Sequence, residues 1–480
     1  MINSRLVEVL RTFNKEEIKE FEKFLASPFF KKQRNLIPLF KLLKTGFPDF
    51  KNESLEKGLL FKKLYAKEKY NDQIMRTLSS EMLTMTEEFL VQIRLRKNKS
   101  DHNKFLMTEL GIRNPGNMWE QKIKKIEKSV RDKPPLDENT IFELYEIDNS
   151  KTNYYLDKND YEVYCKAYEE YSEHFTVLSI LKLIKSKDQF LLYSRDYNIN
   201  FGENLISILF ENVNFDAILE KAEKISHPYF RHLKIFYLLH KIHISDDEKI
   251  YKEVKEEFLS FVEKFGHEEK YHIFTQMEIY CINKIHAGKR EFYDELFDIY
   301  DLMIINNAYT LTPEHNINAM TYRNMLITSL KVNKHAWLKN IIEKVSETLS
   351  LEWKENMRNF AYAHYFFETG EYIKALASIN KVPFELFTFK ADVKNITLKI
   401  YYELNYFEQA ISAIDSYRHY IASNNIMTDP TRDYYKRFVK IYFELLKAKM
   451  NSTKIEKKLL FSEEDSYPEK EWMLQKADEL

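Results

Sequence analysis

The chain has 480 residues and a formal net charge of −1, and it contains only 8 Gly and 11 Pro. Globular proteins average roughly 7% Gly and 5% Pro, and β-rich and α/β folds use Gly in tight turns, bulges and phosphate loops. The composition therefore argues against those folds and leaves long helices with short connections. The two cysteines, Cys165 and Cys281, lie far apart in helix-like contexts, so neither a disulfide framework nor a cysteine-based metal site is expected.

The termini and the hydropathy pattern bear on compartment. Arg5, Glu8 and Arg11 interrupt the start of the chain, and no stretch approaches the ~20 uninterrupted apolar residues that span a bilayer. We therefore expect a soluble, cytoplasmic protein without a membrane partner. With 35 Phe and 32 Tyr spread along its length, the chain also has the material for an extensive core.

The first well-marked helix begins after Asn14, with Glu17 as its capping-box partner. An apolar stripe follows at helical spacing, and Ser27-Pro28 ends the helix because the residue before proline avoids the helical region. Further helices are predicted over 36–44 and 54–65, and Asn71 is expected to cap a longer one. The buried seam of that longer helix consists of Ile74, Leu78, Met82, Met85, Phe89 and Ile93.

The N-terminal part is basic. Residues 1–135 carry 29 Lys and Arg against 18 Asp and Glu, and residues 91–133 carry 12 against 5. The candidates for contact with a polyanion such as nucleic acid are Arg94, Arg96, Lys97, Lys122 and Lys125. The same pattern is also that of a solvated face on amphipathic helices.

Breaks in the pattern divide the chain. Gly111, Pro115 and Gly116 interrupt the helices, and Lys133-Pro134-Pro135 ends the basic helix predicted over 119–130. We predict a helical N-terminal domain over 1–135, a helical repeat region over 136–450, and a charged acidic tail over 451–480 that frays. Tyr161, Tyr164, Tyr168 and Tyr171 would form one helix face, either as inter-helix packing or as a peptide-binding wall.

A spaced pattern recurs near the C-terminal end. Phe366, Gly370, Tyr372, Ala375 and Ile379 return 35 residues later as Tyr401, Asn405, Phe407, Ala410 and Ile414, and a looser copy precedes them as Ser329, Asn333, His335, Leu338 and Ile342. A large residue, a turn residue, an aromatic, a small residue and an aliphatic at fixed offsets suit a helix–turn–helix unit that stacks on its own copies.

The copy over 359–382 resembles a tetratricopeptide repeat. Ala363, Phe366, Gly370, Tyr372 and Ala375 fall where that motif has a small residue, an aromatic, the turn glycine, an aromatic and a second small residue. In the next copy Leu398 replaces the first small residue and Asn405 the glycine. The resemblance implies an all-α solenoid of stacked hairpins, best defined over 320–420, with a peptide-binding groove.

The N-terminal part resembles a different group. The stretch from Phe21 to Phe30 (FEKFLASPFF) and Tyr70-Asn71-Asp72 are similar to the start of an uncharacterised family of helical proteins from Bacteroidota-type bacteria. This resemblance implies no activity.

Searches for catalytic or cofactor chemistry return weak patterns. Gly111 and Gly116 have the P-loop interval, but Asn117 and Met118 stand where lysine and a hydroxyl residue are needed. His240 with His243, and Glu269 with His272, have metal-ligand spacing but lack the companion ligands. We therefore predict a non-enzyme without a cofactor.

The favoured function is a non-catalytic interaction scaffold or regulator that binds a peptide or protein segment in the solenoid groove. The first-helix positions expected to line it are Arg323, Asn324, His364, Asn395 and Lys399. They suit an acidic segment, although the family's carboxylate clamp is only partly reproduced. The alternative is a nucleic-acid- or ribosome-associated factor that uses the basic module.

Overall fold

A computed structural model describes residues 4–30, 35–113, 116–132, 137–197, 199–382, 387–424, 427, 429–456 and 467–480. Across these ranges every regular element is a helix and no β-strand occurs, so the predicted all-α class is confirmed. The chain divides into two compact units, Met1–Lys133 with Asn139–Phe175 and Pro134–Glu138 with Thr176–Leu480.

The first unit extends beyond the boundary expected near residue 135. Its helices are α1 Arg5–Leu10, α2 Lys15–Ala26, α3 Ile37–Lys44, α4 Lys57–Leu64, α5 Asp72–Lys97, α6 Lys99–Arg113, α7 Met118–Arg131, most of α8 Glu138–Asp157, and residues 161–175 of α9 Tyr161–Tyr197. Residues 139–175 belong here because Leu144, Ile147 and Tyr154 share an apolar cluster with Trp119 of α7. Pro115, Pro134 and Pro135, on which the predicted breaks partly rest, lie outside the described residues.

The capping chemistry predicted for α2 is confirmed. The Asn14 carboxamide oxygen accepts a hydrogen bond from the Glu17 amide at 2.9 Å, and the Glu17 carboxylate accepts one from the Asn14 amide at 3.0 Å. Ser27 is extended, with ψ 127°, and ends the helix. Asn71 caps α5 through the Ile74 amide. The predicted helix over 54–65 is shorter, because the extended Glu56 separates a 3₁₀ turn from α4.

The aromatic residues of α2 to α5 form the first core. Phe21 packs edge-on against Phe40 at 5.0 Å between ring centroids, and the ring of Phe89 of α5 lies 5.2 Å from that of Phe21. Leu78, Met82 and Met85 are buried in the same cluster, while Ile74 and Ile93 pack partly buried at its edge. The apolar seam predicted for α5 is thus confirmed.

The second unit contains the remaining helices. They are residues 176–197 of α9, α10 Leu205–Asn212, α11 Phe215–Lys224, α12 Phe230–Ser245, α13 Glu248–Phe261, α14 His267–His286, α15 Phe292–Ile305, α16 Ala319–Lys331, α17 His335–Lys344, α18 Leu351–Glu368, α19 Tyr372–Ile379, α20 Phe387–Leu404, α21 Phe407–Ser423, α22 Asp429–Asn451 and α23 Lys470–Glu479. Within the described residues, no helix is both long enough and apolar enough to cross a membrane.

The recurring pattern corresponds to three helical hairpins, α16/α17, α18/α19 and α20/α21. Their turn positions, Asn333, Gly370 and Asn405, have φ values of 56°, 76° and 57°. This left-handed region suits Gly and, among L-residues, Asn best. The small and aliphatic positions of the second helices are at most 2% exposed: Leu338, Ile342, Ala375, Ile379, Ala410 and Ile414.

The first helices of these hairpins also contact one another, α16 with α18 and α18 with α20. Each hairpin therefore buries its apolar face against its neighbour, as a unit too small to bury that face alone must do. Membership of the tetratricopeptide family stays a prediction.

The expectation of a frayed acidic tail is wrong for residues 467–480. Tyr467, Trp472 and Met473 are 4%, 9% and 0% exposed, and α23 packs against α22. The reason is that this segment alternates carboxylates with large apolar side chains, and the second unit supplies partners for both. Residues 457–466 of the predicted tail lie outside the described residues.

Candidate functional site

Two of the five predicted groove residues are committed to partners within the stack. The Arg323 guanidinium donates to both carboxylate oxygens of Asp392, with Nη2 3.0 Å from Oδ1. Asn395 is 5% exposed, and its carboxamide oxygen accepts a hydrogen bond from the Tyr417 hydroxyl at 2.8 Å. Arg323 thus connects α16 to α20, and Asn395 connects α20 to α21, so neither side chain presents a free group.

Asn324 is likewise turned to an internal partner. Its amide donates to the Glu278 carboxylate at 3.3 Å, which also accepts a hydrogen bond from Tyr300 at 2.8 Å. Burial raises the pKa of Glu278 above its ordinary value, and the two hydrogen bonds oppose that rise. Asn324 thus serves a buried polar cluster.

His364 and Lys399, the remaining two predicted groove residues, are both buried. His364 is 5% exposed, and burial together with the nearby Lys399 charge lowers its pKa to about 3, so the imidazole is neutral near pH 7. Lys399 is 4% exposed, and its Nζ lies 4.5 Å from the centre of the Phe367 ring. Its ammonium contacts a carboxylate from the C-terminal end of the chain.

That carboxylate belongs to Glu469. Its Oε2 accepts a hydrogen bond from Lys399 Nζ at 2.8 Å. Burial alone would raise its pKa, but the charges of Lys399 and Lys331 outweigh this and hold the pKa of Glu469 at about 2. The carboxylate is therefore ionised at neutral pH, and the pair joins positions 70 residues apart.

A second carboxylate, two residues further on, has its own cations. Glu471 Oε2 lies 2.9 Å from Lys331 Nζ, and its other oxygen forms an ion pair with Arg290. The sequence did not predict these two cations. Arg290 lies just before α15 and Lys331 is the last residue of α16, whereas the predicted groove residues lie within the helices. The seven acids of residues 461–480 were the available signal.

The apolar part of the contact centres on Trp472. Its ring lies 5.2 Å from that of Tyr402 and nearly parallel, at 17°, to that of Tyr442, 6.2 Å away. The indole N–H donates to the Glu403 carboxylate at 3.1 Å, and the same carboxylate pairs with Lys476 at 2.9 Å. Trp472 is therefore oriented by a polar contact at its edge and by rings on its faces.

We call residues 467–480 the C-terminal segment. We call the residues that contact it the receiving surface: Arg290 just before α15, Lys331 of α16, Lys399, Tyr402 and Glu403 of α20, and Tyr442 of α22. Cations for two carboxylates and an aromatic slot for one ring are features of a site that recognises a peptide.

The predicted polyanion-contacting residues fall into two groups. Arg94, Arg96 and Lys97 form ion pairs of 3.5 to 3.6 Å with acidic residues of the first unit. Lys122 and Lys125 of α7 pair with no described residue. Lys124 and Lys128 of the same helix are exposed and likewise unpaired within the described ranges, so α7 presents a basic outer face opposite its buried Trp119 side.

The tyrosine face of α9 both packs and remains accessible. The Tyr145 and Tyr171 rings are stacked at 5.0 Å, with their hydroxyls 3.4 Å apart, which joins α8 to α9. Tyr168, 51% exposed, continues the row. Tyr171 therefore packs between helices. The exposed ring of Tyr168 keeps the alternative, a peptide-binding wall, as a prediction.

One residue of each metal-like pattern has a protein partner. His240 Nδ1 lies 2.6 Å from a carboxylate oxygen of Asp188, a partner 52 residues away that local spacing could not reveal. One Glu269 oxygen accepts a hydrogen bond from the Glu138 amide at 3.0 Å.

Three further carboxylates have oxygens within 4.8 Å of one another: Glu127, Asp148 and Glu170. Lys151 forms ion pairs with all three, and the imidazole of His174 lies 2.8 Å from Asp148. This group is a network of ion pairs within the first unit.

Comparison of the chain with protein-family models, with curated proteins and with solved structures found no match.

Proposed function

We propose that the chain is a non-catalytic interaction scaffold whose second unit is a tetratricopeptide-like solenoid that binds an acidic protein segment along the first helices of its hairpins. The observation that supports this most directly is the pairing of Lys399 with Glu469. A buried ammonium on a first helix already holds the carboxylate of a segment 70 residues away in the chain, at 2.8 Å.

The electrostatics of the receiving surface favour recognition over catalysis. Lys331 and Arg290 share one carboxylate, and Lys399 holds another, so each cation is used to select a negative charge at a defined place. Charge-assisted hydrogen bonds in a partly dehydrated site are stronger than those between neutral groups and depend on geometry. The surface thereby discriminates between segments by the spacing of their acids.

Affinity purification from the native cell, with nuclease treatment, tests this function. We expect a protein partner that survives nuclease and is lost with Lys331→Glu, because the new carboxylate repels an acidic segment. Lys440→Glu is the matched control: Lys440 is exposed on α22 and pairs with no described residue. Capture of the same proteins by all three baits would contradict the proposal.

The alternative, a nucleic-acid- or ribosome-associated factor, is supported by the unpaired lysines of α7. Each phosphate contact that is lost reduces the slope of log affinity against log salt by ~0.7 to 0.9. RNA binding that weakens steeply with salt, and less steeply after Lys122→Glu with Lys125→Glu, would favour this function. Failure of the chain to bind heparin at low salt would count against it.

A further inference from the structure

We infer that the C-terminal segment is the resident occupant of a site that takes a protein segment of the same chemistry: an ionised carboxylate, a second carboxylate two residues on, and an aromatic residue directly after it. This inference rests on the proposed function and specifies the partner. In the chain itself these positions are Glu469, Glu471 and Trp472.

The contacts of the segment differ from those within the hairpins. Hairpin neighbours pack through small and aliphatic side chains such as Ala375 and Ala410, which are fully buried. The segment also buries apolar side chains, including Tyr467 and Met473, but its two carboxylates contact residues 70, 140 and 181 positions away in the sequence. It therefore packs against α22 and, through its carboxylates, also reaches α20, α16 and Arg290.

The backbone of the segment also depends on the receiving surface. Glu469 has φ 57°, in the left-handed region, which is unfavourable for a residue other than Gly. Its carbonyl accepts the first hydrogen bond of α23, from Met473 at 3.0 Å. A helix as short as α23 is marginal by itself in water. The bound conformation is thus induced by its contacts, as it is for a peptide that orders on binding.

Spacing defines which partner fits. The carboxylate of residue 469 reaches Lys399, and that of residue 471 reaches Lys331 and Arg290, so an acid at the intervening position would meet neither set. The aromatic residue that follows must carry a donor to satisfy Glu403, which favours tryptophan. The chemistry is that of an acid-x-acid-tryptophan segment.

Attachment in the same chain makes the resident segment a strong competitor. A tethered ligand has an effective concentration in the millimolar range, so a separate segment of equal intrinsic affinity binds the intact chain weakly. Removal of the two carboxylates of the resident segment should open the site without touching the receiving surface.

The test uses the full chain and a fluorescent synthetic peptide of residues 467–480. Fluorescence anisotropy should show binding to the Glu469→Lys/Glu471→Lys chain at least about 10-fold tighter than to the unaltered chain. A peptide with the same two substitutions should bind neither chain. The control chain, Glu352→Lys with Glu408→Lys, has the same change in net charge at exposed residues that pair with no described residue, and should behave as the unaltered chain.

Equal peptide binding to the opened and unaltered chains, with circular dichroism showing both folded, would overturn the inference. If the opened chain fails to fold, a protease site placed within residues 457–466 of the otherwise unaltered chain replaces it. After cleavage, exchange of the resident segment for labelled peptide supports the inference, and permanent retention without exchange overturns it. Failure here, with partner capture still lost in Lys331→Glu, would leave the proposed function standing.

Discussion

Substitution of Lys399 by Met removes the buried charge that holds Glu469 while keeping a side chain of similar length. The side chains are 5% and 24% exposed, so the pair is only partly screened by water. A pKa of about 2 for Glu469, against an ordinary 4.5, corresponds to about 3 kcal/mol of stabilisation of the ionised form. Since Lys331 contributes to this stabilisation, we expect Lys399→Met to weaken attachment of the C-terminal segment by about 2 kcal/mol.

Hydrogen exchange followed by mass spectrometry measures this loss directly. A change of about 2 kcal/mol raises the open population of the segment roughly 30-fold, so amides of α23 should exchange faster while those of α18 keep their rates. Lys440→Met is the control, because Lys440 pairs with no described residue.

The pH dependence has a defined sign. The pKa of Glu469 is lower in the folded chain, so the stabilisation that its carboxylate provides is fully present above about pH 4.5 and is lost as the pH falls toward 2.

Equal hydrogen exchange of α23 in the Lys399→Met chain and the unaltered chain at neutral pH would refute the assignment of the Lys399–Glu469 pair as the main attachment.

Four further substitutions test the interior and the hairpin turns. Burial raises the pKa of Glu269 to about 8, so the folded chain holds this proton more tightly than the unfolded chain, and stability declines as the pH rises from about 4.5 to 8. Glu269→Gln should remove that decline in thermal denaturation, with little effect on stability near pH 5. Gly370→Ala, at φ 76°, should cost about 1 kcal/mol in urea denaturation, whereas Asn405→Gly should be neutral or slightly stabilising, and equal effects would contradict the turn assignment. Asp148 is fully buried, and Asp148→Ala removes one of the carboxylates that pair with the Lys151 ammonium, so the free energy of unfolding should fall by about 3 kcal/mol. A loss below about 1 kcal/mol would show that the remaining acids compensate.

Features that depend on a few neighbouring residues were predictable from the sequence. The reciprocal cap of Asn14 and Glu17 is set by their spacing. The left-handed turns at Gly370 and Asn405 follow from the residues themselves, because few others tolerate positive φ. Low Gly and Pro content, together with apolar spacing of three and four, was sufficient for the all-α class.

The surface that binds the C-terminal segment required the tertiary structure. Helical periodicity placed Arg323, Asn395 and Lys399 on first helices, but it could not show that Arg323 is paired with Asp392, 69 residues away, or that Lys399 is paired with Glu469. Local sequence thus determined the helices, their caps and their turns, because those depend on backbone geometry over a few residues. Only the tertiary structure decided which charges meet, because an ion pair depends on distances between side chains that the order of residues does not specify.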